Sequence, residues 1–420
     1  MKILVVGRGG REHAMIWALS KSASVKQIYC APGNAGIAEM AECVPINEMD
    51  FVRLGEFAVK EAVDLVVVGP EDPLFAGIVD FFEAKRIPVF GPNKAAAIIE
   101  GSKVFTKNLL RKYNIPTAAY ASFSDYSEAL AYLQEQNLPI VIKADGLAAG
   151  KGVTVAHTRE EAENALKELM VDKVFGEAGA AVVIEEFLQG EELSILAFVD
   201  GATVRPMVPA QDHKPVYDLD EGPNTGGMGT YSPVPHISRE IVEAAIETIL
   251  KPAAQAMVQE GRPFRGVLYA GLMITRQGPK AIEFNCRFGD PETQVVLPRL
   301  ETDLAEIFLA VVNGKLRDLD IAWSDQAAVC VVLASGGYPG PYKKGIPISG
   351  LEDVQHAIVF HAGTAKKDGK IVTNGGRLLG VTATGANIAE ARVKAYAAAA
   401  KIHYEGRHYR TDIALKALQP

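Results

Sequence analysis

The chain has 420 residues, 48% hydrophobic and 22% charged, the proportions of an ordinary globular protein; at roughly 150 residues per domain it divides into two to four domains. Disorder, collagen-like repeats and a disulfide scaffold are excluded, and the four cysteines (Cys30, Cys43, Cys286, Cys330) are scattered with no CxxC pair. A net charge of −8 makes a nucleic-acid or anionic-membrane partner unexpected, so any phosphate site must be assembled locally.

Residues 2–7 and 64–69 read as buried strands ending in Gly, with weaker strands at 26–31 and 88–91. Helical stretches at 11–21, 51–62 and 74–86 alternate with them, which predicts a parallel sheet with helices on both faces, over residues 1–101. A helix at 102–113 leads to strands at 139–144 and 152–157, a helix at 159–170 and a strand at 180–188. That small αβ unit, about 117–190, has the size of a lid. Longer strands of antiparallel character follow at 193–200, 203–209, 267–275 and 280–285, flanked by helices at 238–260 and 303–316, and the middle unit spans 102–325. The last unit, 326–420, holds strands at 327–334, 357–361 and 377–383 and a helix at 387–403. The fold class is thus α/β and α+β, multidomain. No stretch approaches the ~18 apolar residues of a membrane span, and Arg8 and Arg11 follow the short N-terminal apolar run in the wrong order for a secretory signal. A reduced, cytoplasmic protein is the expectation.

The loop Asp145–Gly152 (DGLAAGKG) joins two strands, and its glycines let backbone amides approach an anion. It is not a P-loop, which needs GKS or GKT opening a helix; it is either a flap or a plain hairpin tip. Lys143 sharpens the case, because a lysine inside PIVIKA is costly to bury unpaired. Glu185, Glu186 and Glu192 at the next strand's end could accept from an adenine amino group and ribose hydroxyls, or simply be solvated. The strongest constellation is AIEFNCRFGDPE at 281–292. Period-2 alternation puts Glu283, Asn285 and Arg287 on one strand face and Ile282, Phe284 and Cys286 on the other. Two oxygen donors on a rigid strand suit Mg²⁺, and Arg287 beside them can grip a carboxylate or phosphate through two N–H groups. GRGGREH at 7–13 opens a helix after a strand, a weak dinucleotide signal; the second strand ends Cys30-Ala31-Pro32, without the acidic residue an NAD(P) dehydrogenase needs there. His13 and His213 lack metal-ligand spacing and read as hydrogen-bonding loop residues.

These segments, GRGGREHA at 7–14, APGNAG at 31–36, GPEDPL at 69–74, SKVFTK at 102–107, KADGLAAGKGV at 143–153, EEFLQGEELS at 185–194, QDHK at 211–214, NTGGMG at 224–229, NCRFGDPETQ at 285–294 and GGYPGPYKKG at 336–345, together resemble the ATP-grasp superfamily and, within it, the phosphoribosylamine–glycine ligases of purine biosynthesis. The resemblance implies an N-terminal substrate-binding αβ domain, an ATP-grasp domain with a lid, and a small C-terminal αβ domain. It implies ATP-dependent ligation of glycine to 5-phosphoribosylamine through glycyl phosphate, giving glycinamide ribonucleotide, ADP and phosphate. By the same resemblance Lys103 and Lys143 hold ATP phosphates under the flap of Gly146, Gly150, Lys151 and Gly152. Glu185, Glu186, Phe187 and Leu188 take the adenine, and Glu192 the ribose. Glu283 and Asn285 bind Mg²⁺ or Mn²⁺, with Arg287 and Lys143 at the reacting groups. Gly9, Gly10, Asn34, Glu71, Asp72, Asp212, Lys214, Thr225, Gly226, Gly227, Asp290 and Glu292 surround the other substrates. A monomer or weak homo-oligomer is expected. The rivals are another ATP-grasp ligase or carboxylase, an NAD(P) dehydrogenase and a non-catalytic nucleotide sensor.

Overall fold

The run Ile3–Val6 is buried on both sides: Leu4 and Val6 enter one apolar core, Ile3 and Val5 another. Only a central strand of a sheet covered on both faces can do this. In the computed structural model, which describes residues 1–146, 152–174 and 176–419, the strand Lys2–Gly7 pairs in parallel with Gln27–Pro32 and Leu65–Val68. Glu42–Cys43 and Val89–Phe90 close a five-stranded parallel sheet at its two edges. The chain reverses its direction of winding between the strands Lys2–Gly7 and Leu65–Val68. The loops at their carboxyl ends, Gly7–Gly10 and Gly69–Glu71, therefore flank the crevice where such sheets bind ligands. The helix expected over 74–86 is two helices, Glu71–Ala76 and Ile78–Ala84, broken at Gly77 with φ +90°.

Three antiparallel sheets of four or five strands follow, besides two two-stranded ones. The lid sheet orders its strands Tyr120–Phe123, Val182–Glu186, Ile140–Ala144, Val153–Ala156 and packs the helices Tyr126–Gln134 and Arg159–Met170 over its own core. The long sheet orders Thr203–Pro206, Glu191–Asp200, Arg265–Thr275, Gly278–Asn285. The C-terminal sheet orders Gln211–Asp212, Gly229–Ser232, Ala327–Ala334, Arg377–Gly385, Ile358–His361. Its first two strands come from residues before 326, so the QDHK and NTGGMG segments are tied to the C-terminal unit. The helix expected at 238–260 runs Arg239–Gln259 with a π-helical turn over Ile246–Leu250. The strand expected at 203–209 stops at Pro206, and the helices expected at 303–316 and 387–403 end at Val312 and Ala399.

One register detail bears on the site. Gly271 pairs with Glu283 but Leu272 with Ala281, so Ile282 is an extra residue bulged out of the ladder. The apolar face of this strand is therefore Ala281, Phe284 and Cys286, all buried, while Ile282 is only half-buried. The expected alternation holds from Glu283 onward and fails at Ile282. Among the described residues no helix is long and apolar enough to cross a membrane.

Candidate functional site

Ser102 caps the helix Lys103–Lys112, and Asp145, at the lid's edge, adds its carboxylate at 2.7 Å from the Val104 N–H. This fixes Lys103 at the root of the flap, where its Nζ donates to the Gly146 carbonyl at 3.1 Å. Burial pulls the Lys103 ammonium down, with Glu283 opposing. One turn along the same helix, Lys107 is buried beside Lys143 and Glu185. Lys143 Nζ donates to Glu185 Oε2 at 3.1 Å and to the Ile282 carbonyl at 3.3 Å. Lys107 Nζ lies 2.9 Å from the same Oε2 and donates to Thr117 Oγ1 at 2.7 Å. Burial takes Lys107 down to about 8 against the attraction of Glu185, and Lys143 adds repulsion. Two cations thus share one carboxylate, leaving a net positive charge in a dry place. Glu185 Oε1 is buried with no partner among the described residues. Glu186, in contrast, is engaged at the rim by the Ala119 N–H at 3.0 Å and Lys280 Nζ at 2.9 Å. Phe187 and Leu188 are half-buried beyond it, the Phe187 ring 6.4 Å from that of His157. Gly152 accepts the Ala144 N–H at 2.8 Å; Gly150 and Lys151 lie outside the described residues.

The strand Gly278–Asn285 runs from this lysine cluster to the crevice of the N-terminal sheet. Glu283 is half-buried and has neither ion pair nor hydrogen bond among the described residues. Asn285 Nδ2 donates to Glu100 Oε1 at 3.1 Å and to the Phe284 carbonyl at 3.2 Å. Both amide hydrogens are thus spent inside the protein, and Oδ1 is left as an acceptor. An unpaired carboxylate beside an oriented amide oxygen is a hard, two-oxygen donor set. It fits Mg²⁺ or Mn²⁺, which take one or two protein oxygens and complete their shell with phosphate and water. No group of three or more acidic, His or Cys side chains suited to a metal occurs among the described residues, so an all-protein cage is not the arrangement here.

Arg287 lies between two carboxylates, Nε 3.1 Å from Glu71 Oε2 and Nη2 3.1 Å from Glu100 Oε1. Arg11 reaches the same Glu71 Oε2 at 3.7 Å, donates to the Phe288 carbonyl at 3.2 Å and pairs with Glu12 at 2.6 Å. Burial would raise Glu71, but Arg287 and Arg11 outweigh it and hold the carboxyl at about 2. Glu12 turns back to accept the Gly9 N–H at 2.5 Å, shaping the Gly9–Gly10 loop. Asn34 spends its whole amide on the protein: Nδ2 donates to the Arg8 and His361 carbonyls, and Oδ1 accepts from Gly36 and Ile37. Its place is to hold the loop. Asp72 is exposed on the first helical turn after the crevice.

Around the other end, Lys214 Nζ is 2.6 Å from Glu192 Oε2 and 3.2 Å from Asp212 Oδ1. Glu292 is buried and accepts from Tyr269 and Ser194 hydroxyls at 3.1 and 3.3 Å; burial and then Asp212 push it up to about 7. Thr225 bonds back to the Lys214 carbonyl, and Arg377 donates to the carbonyls of Gly226 and Asp290 and pairs with the Asp290 carboxylate at 3.3 Å. Arg377 belongs to the C-terminal sheet, so one guanidinium fastens three parts of the chain.

Comparison with known proteins agrees with this layout. Family models of phosphoribosylglycinamide synthetase match the chain over residues 1–100 (N domain), 101–293 (ATP-grasp, or A, domain) and 328–416 (C domain). The chain belongs to the phosphoribosylglycinamide synthetase family. Among curated members, the phosphoribosylamine–glycine ligase of Caldanaerobacter subterraneus subsp. tengcongensis is 54% identical over 99% of both chains. That of Listeria innocua is 53% identical over 99% of this chain and 100% of its own. The crystal structure of the Thermotoga maritima phosphoribosylamine–glycine ligase superposes with a TM-score of 0.85 at 37% identity, over 99% of this chain and 100% of that one. The biotin carboxylase domain of Hydrogenobacter thermophilus 2-oxoglutarate carboxylase shares the fold, with a TM-score of 0.73 at 14% identity over 99% of this chain and 97% of its own.

In this chain the geometry also adds residues that sequence patterns missed. Lys107 had a usable signal, four residues after Lys103 on one helix face. Glu100 and Arg377 had none, because the contacts that bring them to the site span more than eighty residues of sequence, and Arg11, though inside GRGGREH, meets Glu71 and Phe288 only through the fold. His13 is not a loop residue: it sits in the helix Gly10–Leu19, buried, and its Nδ1 accepts the His361 N–H at 2.8 Å.

Proposed function

We propose that this chain is an ATP-dependent carbon–nitrogen ligase that joins glycine to 5-phosphoribosylamine, giving glycinamide ribonucleotide, ADP and phosphate. The observation that carries the reading is the single strand end Glu283–Asn285–Arg287, with Lys103 and Lys143 on one side and the crevice of the N-terminal sheet on the other. A glycine carboxylate oxygen attacks the γ-phosphorus of ATP, and ADP leaves. The amine nitrogen of phosphoribosylamine then attacks the carbonyl carbon of glycyl phosphate; the C–O bond breaks, phosphate departs with its electrons and the amine gives up a proton. No enzyme nucleophile is needed, so catalysis is alignment and charge neutralisation.

Lys103 and Lys143 neutralise the nucleotide's phosphates, and the flap from Gly146 to Gly152, with Gly150 and Lys151, covers them. Glu185 Oε1 accepts from the adenine amino group, Phe187 and Leu188 flank the base and Glu192 takes the ribose. Glu186, already engaged with Lys280, holds the lid's rim. Glu283 and Asn285 hold the divalent ion, Mg²⁺ or Mn²⁺, which when bound screens phosphate charge. Arg287 receives the glycine carboxylate in exchange for Glu71, a displacement available because Glu71 has Arg11 as a second partner. Gly10 offers its amide to the phosphoribosyl phosphate, and Gly9, whose own N–H is taken by Glu12, leaves room beside it; Asp212, Lys214, Asp290, Glu292 and the Thr225–Gly227 loop enclose the amine. The working division is 1–101, 102–325 and 326–420, the chain acting as a monomer or weak oligomer in the cytoplasm.

ADP release tests the reading. It should require both glycine and phosphoribosylamine, and Glu283→Ala should lower turnover by about 100-fold or more with the fold intact. Release driven by bicarbonate in place of glycine would instead establish a carboxylase of the same fold.

A further inference from the structure

Glu100 lies outside every glycine-rich segment, near the end of the helix Lys94–Gly101, and nothing in the local sequence marks it. Its side chain is 7% exposed. Three donors from consecutive residues converge on it: Asn285 Nδ2 at 3.1 Å and Arg287 Nη2 at 3.1 Å on Oε1, and the Cys286 N–H at 2.7 Å on Oε2. An ionised carboxylate, with two acceptor oxygens and no hydrogen of its own, can accept from all three.

An asparagine presents its oxygen or its nitrogen to a ligand according to what its other end can bond. Here Glu100 accepts one Nδ2 hydrogen and the Phe284 carbonyl accepts the other, so Oδ1 is the atom left over. The same carboxylate sets the plane of the Arg287 guanidinium. We propose that Glu100 is the positioning residue of the metal-binding end of this strand, fixing Asn285 with its oxygen outward and coupling that orientation to Arg287. The inference rests on the reading of Glu283 and Asn285 as the divalent-ion ligands.

The test is binding, not turnover: Mn²⁺ titrated against the full chain with saturating ADP and followed by electron paramagnetic resonance. Glu100→Met removes both acceptor oxygens at similar size. Asn285 then loses its reason to point oxygen outward, and Mn²⁺ affinity should fall by about 10- to 100-fold, the usual effect of removing a group that orients a metal ligand. A carboxylate has no amide to orient. Adding Asn285→Asp to Glu100→Met should therefore recover most of the loss, whereas Asn285→Asp alone, facing Glu100, should weaken Mn²⁺ binding. A purely structural role predicts no such reversal of sign. Unchanged affinity in E100M, failure of the double variant to recover, or tighter binding in N285D alone would each overturn the proposal. N285D keeps Glu100 in place, so this last outcome decides the matter even if E100M does not fold. Asn285→Ala separates the two layers. Unchanged Mn²⁺ affinity there removes Asn285 as a ligand and the proposal with it, while a loss there beside an unaffected E100M overturns the role of Glu100 and leaves Asn285 a ligand.

Discussion

At the scale of single residues, the chemistry of this site is a matter of which charge is left over. Lys107 and Lys143 both draw on Glu185 Oε2, so neither is fully neutralised, and Lys143 keeps charge that, under the proposed function, it offers to a phosphate. Replacing Lys107 by Met hands the whole of Glu185 to Lys143. The KM for ATP should then rise by about tenfold, equivalent to roughly 1.4 kcal/mol, and Lys107→Arg should recover part of it; an unchanged KM would show that Lys107 only fills space. Glu71 and Glu283 illustrate the two other cases. The first is held at about 2 by Arg287 and Arg11 despite its burial. The second has no direct ion pair among the described residues, which is why a divalent ion fits beside it.

At the scale of elements, the site depends on where strands and helices stop. The bulge at Ile282 turns its carbonyl to Lys143 and resets the alternation that presents Glu283, Asn285 and Arg287 together. Gly77 does the same for the crevice, ending the helix that starts at Glu71 and beginning the next. A Cβ at Gly77 would meet Asp80 Oδ2 at 3.6 Å, ordinary contact, so the cost of Gly77→Ala is confined to the backbone at φ +90°. It should destabilise the protein by about 1–2 kcal/mol, read from denaturant unfolding, with little change in substrate KM. A loss much above that range would mean that the neighbouring helices cannot absorb the change.

Over the whole molecule, the parts are fastened by contacts far apart in sequence. Arg377 ties the C-terminal sheet to the Gly226 loop and to Asp290, and His13 receives the His361 N–H where the first and last units meet. Burial takes His13 down to about 3, with His361 adding to it, and His361 itself down to about 4. Both folded values lie below the ordinary 6.5, so between pH 6.5 and about 4 the unfolded chain binds protons that the folded chain does not. Stability from these groups is fully present above pH 6.5 and is lost as pH falls through that window. Each histidine adds a slope of up to about 1.4 kcal/mol per pH unit. Denaturant unfolding of His13→Asn should show a shallower loss between pH 6.5 and 4 than the parent protein; identical slopes would refute the assignment.

The local pattern of residues was enough for the longer strands and most of the helices, but not for the short strands Tyr120–Phe123 and Gly229–Ser232 or the helix Tyr126–Gln134. Burial on both faces leaves an uninterrupted apolar run at Ile3–Val6, and a strand end with alternating polar groups leaves Glu283, Asn285 and Arg287 at period two. The glycine-rich segments mark loops in which backbone amides could approach a ligand, because they carry little side chain. Tertiary structure alone decided the partners. Glu100 faces Asn285, Lys107 shares Glu185, Arg377 grips Asp290, and two strands before residue 326 complete the C-terminal sheet. Hydrogen bonds and ion pairs act over about 3 Å in space and take no account of distance along the chain, so no periodicity records them. The net charge of −8 belongs to the same lesson. Summed over the chain it makes a nucleic-acid partner unexpected, but whether an anionic substrate can bind is set by the few cations that folding leaves incompletely paired.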